Sequence, residues 1–168
     1  PRLGIGRLYL FGRAQAQFGE ALAQDFVGLS RYDDIDLQLP FVAPITLSDT
    51  ERVRGYRAYA VGDRVLFGTL EYRLPPVLDL QTRLLGFLEL GRVSPALFAD
   101  AGLVWTGSAF DDAVRRAGVG GEIKNLVRLG GFELVHALGV AQRWDVLGES
   151  VEGDDVDLYY RVQAVLPF

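Results

Sequence analysis

Apolar and polar residues alternate at period two in segment after segment of this chain, and that pattern constrains the fold more than any other feature. Successive side chains of a β-strand point to opposite faces, so strict alternation marks a strand lying between two unlike environments. From Leu8 to Phe18 one face carries Leu8, Leu10, Gly12, Ala14, Ala16 and Phe18, and the other carries Tyr9, Phe11, Arg13, Gln15 and Gln17. From Leu66 to Leu74 the apolar face is Leu66, Gly68, Leu70, Tyr72 and Leu74, against Phe67, Thr69, Glu71 and Arg73. From Leu97 to Trp105 the residues Leu97, Ala99, Ala101, Leu103 and Trp105 share a face, while Asp100 points the other way. Three further strands are expected over Val119 to Val127, Phe132 to Trp144 and Tyr159 to Phe168, with Asn125 and His136 on otherwise apolar faces.

Between these strands lie a short turn at Leu129-Gly130-Gly131 and longer polar loops over Gly107 to Arg116 and Asp145 to Asp157. A long segment, about residues 20–65, shows no sustained strand pattern. The stretch from Pro75 to Pro95 is mixed, with Leu84 to Leu90 readable as a short extra strand or a strand extension. No amphipathic helix and no internal linker is evident, so residues 1–168 read as one all-β domain.

A soluble sandwich also alternates. Three features favour an antiparallel transmembrane β-barrel. Charges sit at mid-strand on the polar faces: Arg13, Glu71, Arg73, Asp100, Glu122, Lys124 and Arg161. The alternation runs for about nine to thirteen residues, the length of a tilted strand crossing a bilayer and longer than the usual globular strand of about five or six. Aromatic residues close the strands (Phe18, Tyr72, Trp105, Trp144, Phe168), as interfacial girdles do.

Composition removes several function classes. The net charge of −5 argues against a nucleic-acid partner, which needs a basic stripe. No cysteine is present, so neither disulfides nor thiolate metal sites are available. The single histidine, His136, has no ligand set around it, and the acidic run from Glu152 to Asp157 lacks the spacing of a calcium loop. Gly118-Val119-Gly120-Gly121 has no βαβ context, and no serine stands at the spacing of a nucleophile motif. The expectation is a protein without an enzyme's chemistry, a metal or a cofactor. No apolar run reaches the roughly 18 to 20 residues of a membrane-spanning helix, and the opening on Pro1 reads as a mature or excised piece of something larger.

One loop stretch stands apart. In Val53-Arg54-Gly55-Tyr56 a fixed cation is followed by a residue that allows a tight turn and then by a flat aromatic anchor. With this loop the chain resembles the C-terminal end of the barrel of the bacterial surface antigen superfamily, the outer-membrane assembly factors of BamA and TamA type. Four matches occur in the family's order. Val53-Arg54-Gly55-Tyr56 is similar to the Val-Arg-Gly-Phe/Tyr motif of the family's sixth extracellular loop. Leu70-Glu71-Tyr72-Arg73-Leu74-Pro75 is similar to the strand after it, and Phe98 to Trp105 to the next strand's Phe-x-Asp-x-Gly-x-Val-Trp. The chain then ends on Phe168 after an alternating strand. Leu10-Phe11-Gly12-Arg13 would be the strand entering the loop.

The resemblance implies a sixteen-stranded barrel in the bacterial outer membrane, of which this stretch supplies about the last six strands. It implies that Arg54 folds into the lumen and pairs with acidic residues of the barrel wall, by position Glu71 and Asp100. It implies an assembly signal in the alternating final strand, carried by Tyr160, Val162, Ala164, Leu166 and Phe168. Partners would be outer-membrane lipid, client β-barrel or exported proteins, and periplasmic domains upstream in the same chain. In the family the seam beside the last strand opens and client strands pair with the exposed edge. A passive barrel (a pore or an adhesive barrel), a membrane anchor for a fused N-terminal domain and a soluble β-domain remain as alternatives.

Overall fold

A computed structural model describes residues 2–3, 5–18, 27–29, 35–37, 45–47, 53–56, 60–84, 86–129, 132–144 and 156–165. Their architecture is all-β. Twelve strands are formed among them: β1 (Arg2–Leu3), β2 (Gly6–Ala16), β3 (Val27–Gly28), β4 (Ile35–Leu37), β5 (Ile45–Leu47), β6 (Val61–Gly62), β7 (Arg64–Arg73), β8 (Leu78–Leu84), β9 (Leu88–Trp105), β10 (Val114–Leu129), β11 (Phe132–Arg143) and β12 (Val156–Val165). The only other regular element among the described residues is a 3-10 turn at Phe110–Asp112. No helix among the described residues is long and apolar enough to cross a membrane, which says nothing of strands.

Six long strands make the sheet, in the order β2-β7-β9-β10-β11-β12, each antiparallel to its neighbour. Neighbours in this meander are also neighbours in sequence, apart from the long loop between β2 and β7 and the β8 insertion between β7 and β9. The sheet path runs from β1 at one edge to β4 at the other without returning on itself, so the sheet is open among the described residues. The long loop contributes short strands where the sequence shows no sustained pattern. β3 pairs with β6 at the loop's base, and β5 lies parallel to β12 through Tyr160–Ile45, Arg161–Thr46 and Val162–Leu47. The edge of the last strand thus carries a segment of the loop.

Register fixes which side chains share a face. Thr69 of β7 opposes Asp100 of β9, which opposes Gly118 of β10, which opposes Arg143 of β11. By the same ladders Glu71 aligns with Phe98, and Glu122 aligns with Ala96 and Gly139, the latter opposite Tyr159. All of these lie on one face, against which the loop packs. Val53 and Leu29 of the loop region bury themselves there with Ala60, Val65, Phe67 and Val104. The opposite face is apolar and open. Leu66, Leu70, Leu97, Ile123, Leu138, Val140 and Leu158 all stand exposed on it, across five adjacent strands. A soluble monomer rarely leaves so wide an apolar surface uncovered.

The expected boundaries needed correction in several places: β2 ends at Ala16, short of Phe18, and β12 begins at Val156, inside the expected loop. β9 and β10 are longer than the alternation suggested, beginning at Leu88 and Val114. Of the stretch from Leu84 to Leu90, Leu88 to Leu90 extend β9 as one of the two expectations had it, Leu84 ends β8, and between them Gly86 takes φ +76° where the chain reverses. Trp144 follows the end of β11 instead of closing it.

Candidate functional site

The site is built by a turn laid on the polar face of the sheet. Val53 is buried in the apolar cluster and anchors the entry. Its carbonyl accepts a 3.3 Å hydrogen bond from the Tyr56 N–H, closing a four-residue turn with Arg54 and Gly55 at the bend. Gly55 has φ +96°, a conformation that residues with a Cβ adopt only under strain. The turn is held from below: Arg143 Nε donates to the Gly55 carbonyl at 2.7 Å, and the Tyr56 hydroxyl donates to the Ala117 carbonyl at 3.1 Å. The guanidinium carbons of Arg116 and Arg143 lie 5.1 and 5.4 Å from the centroid of the Tyr56 ring. At Gly118 a Cβ would sit 2.5 Å from the Arg54 carbonyl oxygen, so the absence of a side chain on β10 is what lets the turn lie flat on the sheet.

Arg54 then reaches along the face and is gripped from several sides. Asp100 takes it as a fork: Oδ2 accepts from Nε at 2.7 Å and Oδ1 accepts from Nη2 at 2.7 Å. The same Oδ2 accepts the Arg54 backbone N–H at 3.0 Å. Nη1 donates to Glu71 Oε2 at 3.1 Å, and Nη2 donates to Thr69 Oγ1 at 2.9 Å. The Thr69 hydroxyl in turn donates a hydrogen bond to Asp100 Oδ1 at 2.5 Å. The guanidinium carbon lies 3.6 Å from the centroid of the Phe98 ring, so one flat face of the cation is covered. Arg54, Glu71 and Asp100 are all buried. Burial acts to lower the pKa of Arg54; the hydrogen bond and charge of Asp100, with the charge of Glu122, outweigh it and raise the pKa above the ordinary arginine value. The cation is permanent.

The structure therefore brings together Arg54, Glu71 and Asp100, and it adds residues that the sequence reading did not assign to the site. Glu122 Oε2 stands 3.4 Å from Arg54 Nη1. That carboxylate also accepts from the Tyr159 hydroxyl at 2.6 Å and from Arg161 Nη2 at 2.8 Å, and lies 3.3 Å from Lys124 Nζ. Lys124 in turn donates to Glu71 at 2.6 Å, and Arg73 bonds the same carboxylate. One buried network thus joins the loop to β7, β9, β10 and β12. The signal for it was present in the mid-strand charges Glu122, Lys124 and Arg161. What alternation could not supply was the register that sets them side by side.

Other expected positions separate from this cluster. Tyr160 and Val162 lie on the opposite, apolar face, opposite Leu138 and His136 in the β11–β12 ladder. Ala164 pairs with Leu134 in the backbone ladder, while Leu166 and Phe168 lie outside the described residues. His136 also lies on the apolar face, where its Nδ1 meets the Tyr160 hydroxyl. Of the acidic run, 152–155 lies outside the described residues, and Asp157 is buried within β12. Among the described residues no three His, Cys, Asp or Glu side chains gather in a metal-binding group. What the arrangement can do is hold a loop down by its cation. When the chain is compared with known proteins, no family model, no curated protein and no solved structure matches it.

Proposed function

We propose that these residues are the last strands of a transmembrane β-barrel belonging to a bacterial outer-membrane factor that inserts or exports other proteins. On this reading the exposed apolar face meets lipid, the polar face lines the lumen, and the Arg54 turn is a lumenal latch bracing the barrel wall. Client β-barrel or exported proteins and upstream periplasmic domains would be its partners, and the β12 edge, whose Tyr160–Val162 stretch β5 occupies in this structure, the place where client strands pair.

The observation that carries the reading is the grip on Arg54 itself. Its fork is shared between Asp100 and Glu71 on two adjacent strands, under an apolar, uncovered opposite face. These are the two carboxylates that the family resemblance selects from sequence position.

The test is Arg54→Ala in cells that depend on the protein. The expected result is a fall in the outer-membrane levels of other β-barrel or exported proteins, together with loss of the compact, heat-resistant form of this one. Normal client levels with a weakened barrel would favour a passive pore or anchor. Normal levels with unchanged heat resistance would remove the latch from the account.

A further inference from the structure

The end of the sheet farthest from the Arg54 turn leaves a strand edge unused. β9 is long enough to pair with β7 through its C-terminal half and with β8 through its N-terminal half, so β8 continues the line of β7. β2 covers that line only as far as the Arg7–Arg73 pair. Among the described residues β8 pairs with β9 alone, and all seven of its residues are exposed. Its outer row of backbone N–H and C=O groups is a template for a further strand.

The side chains say which strand. β8 reads Leu78-Asp79-Leu80-Gln81-Thr82-Arg83-Leu84. Rotated by a two-fold axis through Gln81 and paired antiparallel with itself, it sets Leu78 against Leu84 and Asp79 against Arg83, each twice. The charges also continue a rung already present across the sheet. Arg128 bonds Glu133 at 2.8 Å, Arg128 opposes Glu89 in register, and Arg83 Nε donates to Glu89 at 2.9 Å. Read outward, the rung runs Glu133, Arg128, Glu89, Arg83, alternating in sign. A second β8 would place its Asp79 next, followed by its Arg92, which lies 3.5 Å from Asp79 within each copy. The alternation then crosses the junction with no like charges adjacent. Leu78 and Leu84, both exposed in one copy, would cover each other.

We propose that β8 is an isologous interface through which two copies of this chain pair edge to edge. The register shift between Asp79 and Thr82 falls on the two-fold axis, so pairing uses the backbone on either side of it. Such a contact is complete at two copies, because each edge is consumed by its mate. The proposal does not depend on the sheet closing in a membrane.

The experiment uses Gln81→Cys in the intact protein at its native abundance, these residues having no other thiol. Gln81 lies in the bulge and outside the regular ladder, but on the axis its two copies are each other's nearest symmetry mates, so a cysteine pair there can reach the disulfide range of about 4.4–6.8 Å between Cα atoms. Mild oxidation is expected to give a covalent species of twice the mass. Phe87→Cys, exposed at the hairpin turn and off the axis, is expected to stay single. Adding Asp79→Arg to Gln81→Cys opposes like charges twice and should lower the cross-linked fraction about tenfold, going by the usual worth of cross-strand charge pairs, with the melting temperature unchanged. Absence of the Gln81→Cys dimer, equal cross-linking through Phe87→Cys, insensitivity to Asp79→Arg, or capture of a different protein would each overturn the pairing of two copies.

Discussion

The two ends of the sheet hold ion pairs of the same chemistry in opposite settings. At the loop end, Arg54 and Asp100 meet with side chains 9% and 0% exposed. At the β8 end, Arg83 and Glu89 meet with side chains 66% and 37% exposed, and Arg92 and Asp79 at 67% and 39%. A pair in water gains little over its hydrated partners. A buried pair can contribute no more in net terms, yet removing one member strands the other without solvent. The contrast teaches that an ion pair's geometry does not tell its importance; what surrounds it does. The buried network is committed to one conformation, whereas the exposed rung is free to extend.

Removing the cation from the buried end should give the largest effect. Arg54→Ala leaves Asp100 buried without its fork, while Glu71 keeps Lys124 and Arg73, and a loss of about 3–5 kcal/mol in unfolding free energy is expected in a denaturant titration. Arg54→Lys should recover only part of this, since an ammonium cannot reproduce the fork. Next comes Gly118→Val. Its side chain would enter the space of the Arg54 carbonyl, and a cost of about 1–3 kcal/mol is expected, accompanied by faster proteolysis within the loop. Tyr56→Phe removes the bond to Ala117 and should cost about 0.5–1.5 kcal/mol by the same titration. The smallest effect belongs to the other end: Arg83→Ala in the single chain should change stability by at most about 1 kcal/mol, and raising the salt should erase that difference while leaving the Arg54→Ala loss in place. If Arg83→Ala proved as costly as Arg54→Ala, the comparison between the two ends would fail.

The meander and its two faces were legible in the sequence because alternation is a local property. Glu71 and Asp100 fall on the polar side of their strands whatever the neighbours do, and Leu66, Leu70 and Leu97 fall on the other. Glu122 shows where local reading stops. Its parity was plain, but its place beside Arg54, Tyr159 and Arg161 depends on the register of three ladders, and a shift of one residue in any of them would turn it away. β8 was obscured for a different reason. Its pattern is interrupted at Leu80 and Gln81, where the strand takes an extra residue and Gln81 adopts φ +37°, and a bulge reads in sequence as the end of a strand. The short strands β4 and β5 carry too few residues for any period to emerge.

The covered guanidinium has a kinetic meaning as well as an energetic one. Phe98 closes one face of Arg54 while Asp100, Thr69 and Glu71 close its rim. Water therefore has little room to replace these bonds one at a time. Departure of the turn must break them nearly together, so there is no half-released state to dwell in. The loop end is thus held as a unit, and any process that needed the turn to leave would have to break the whole set of bonds in one step.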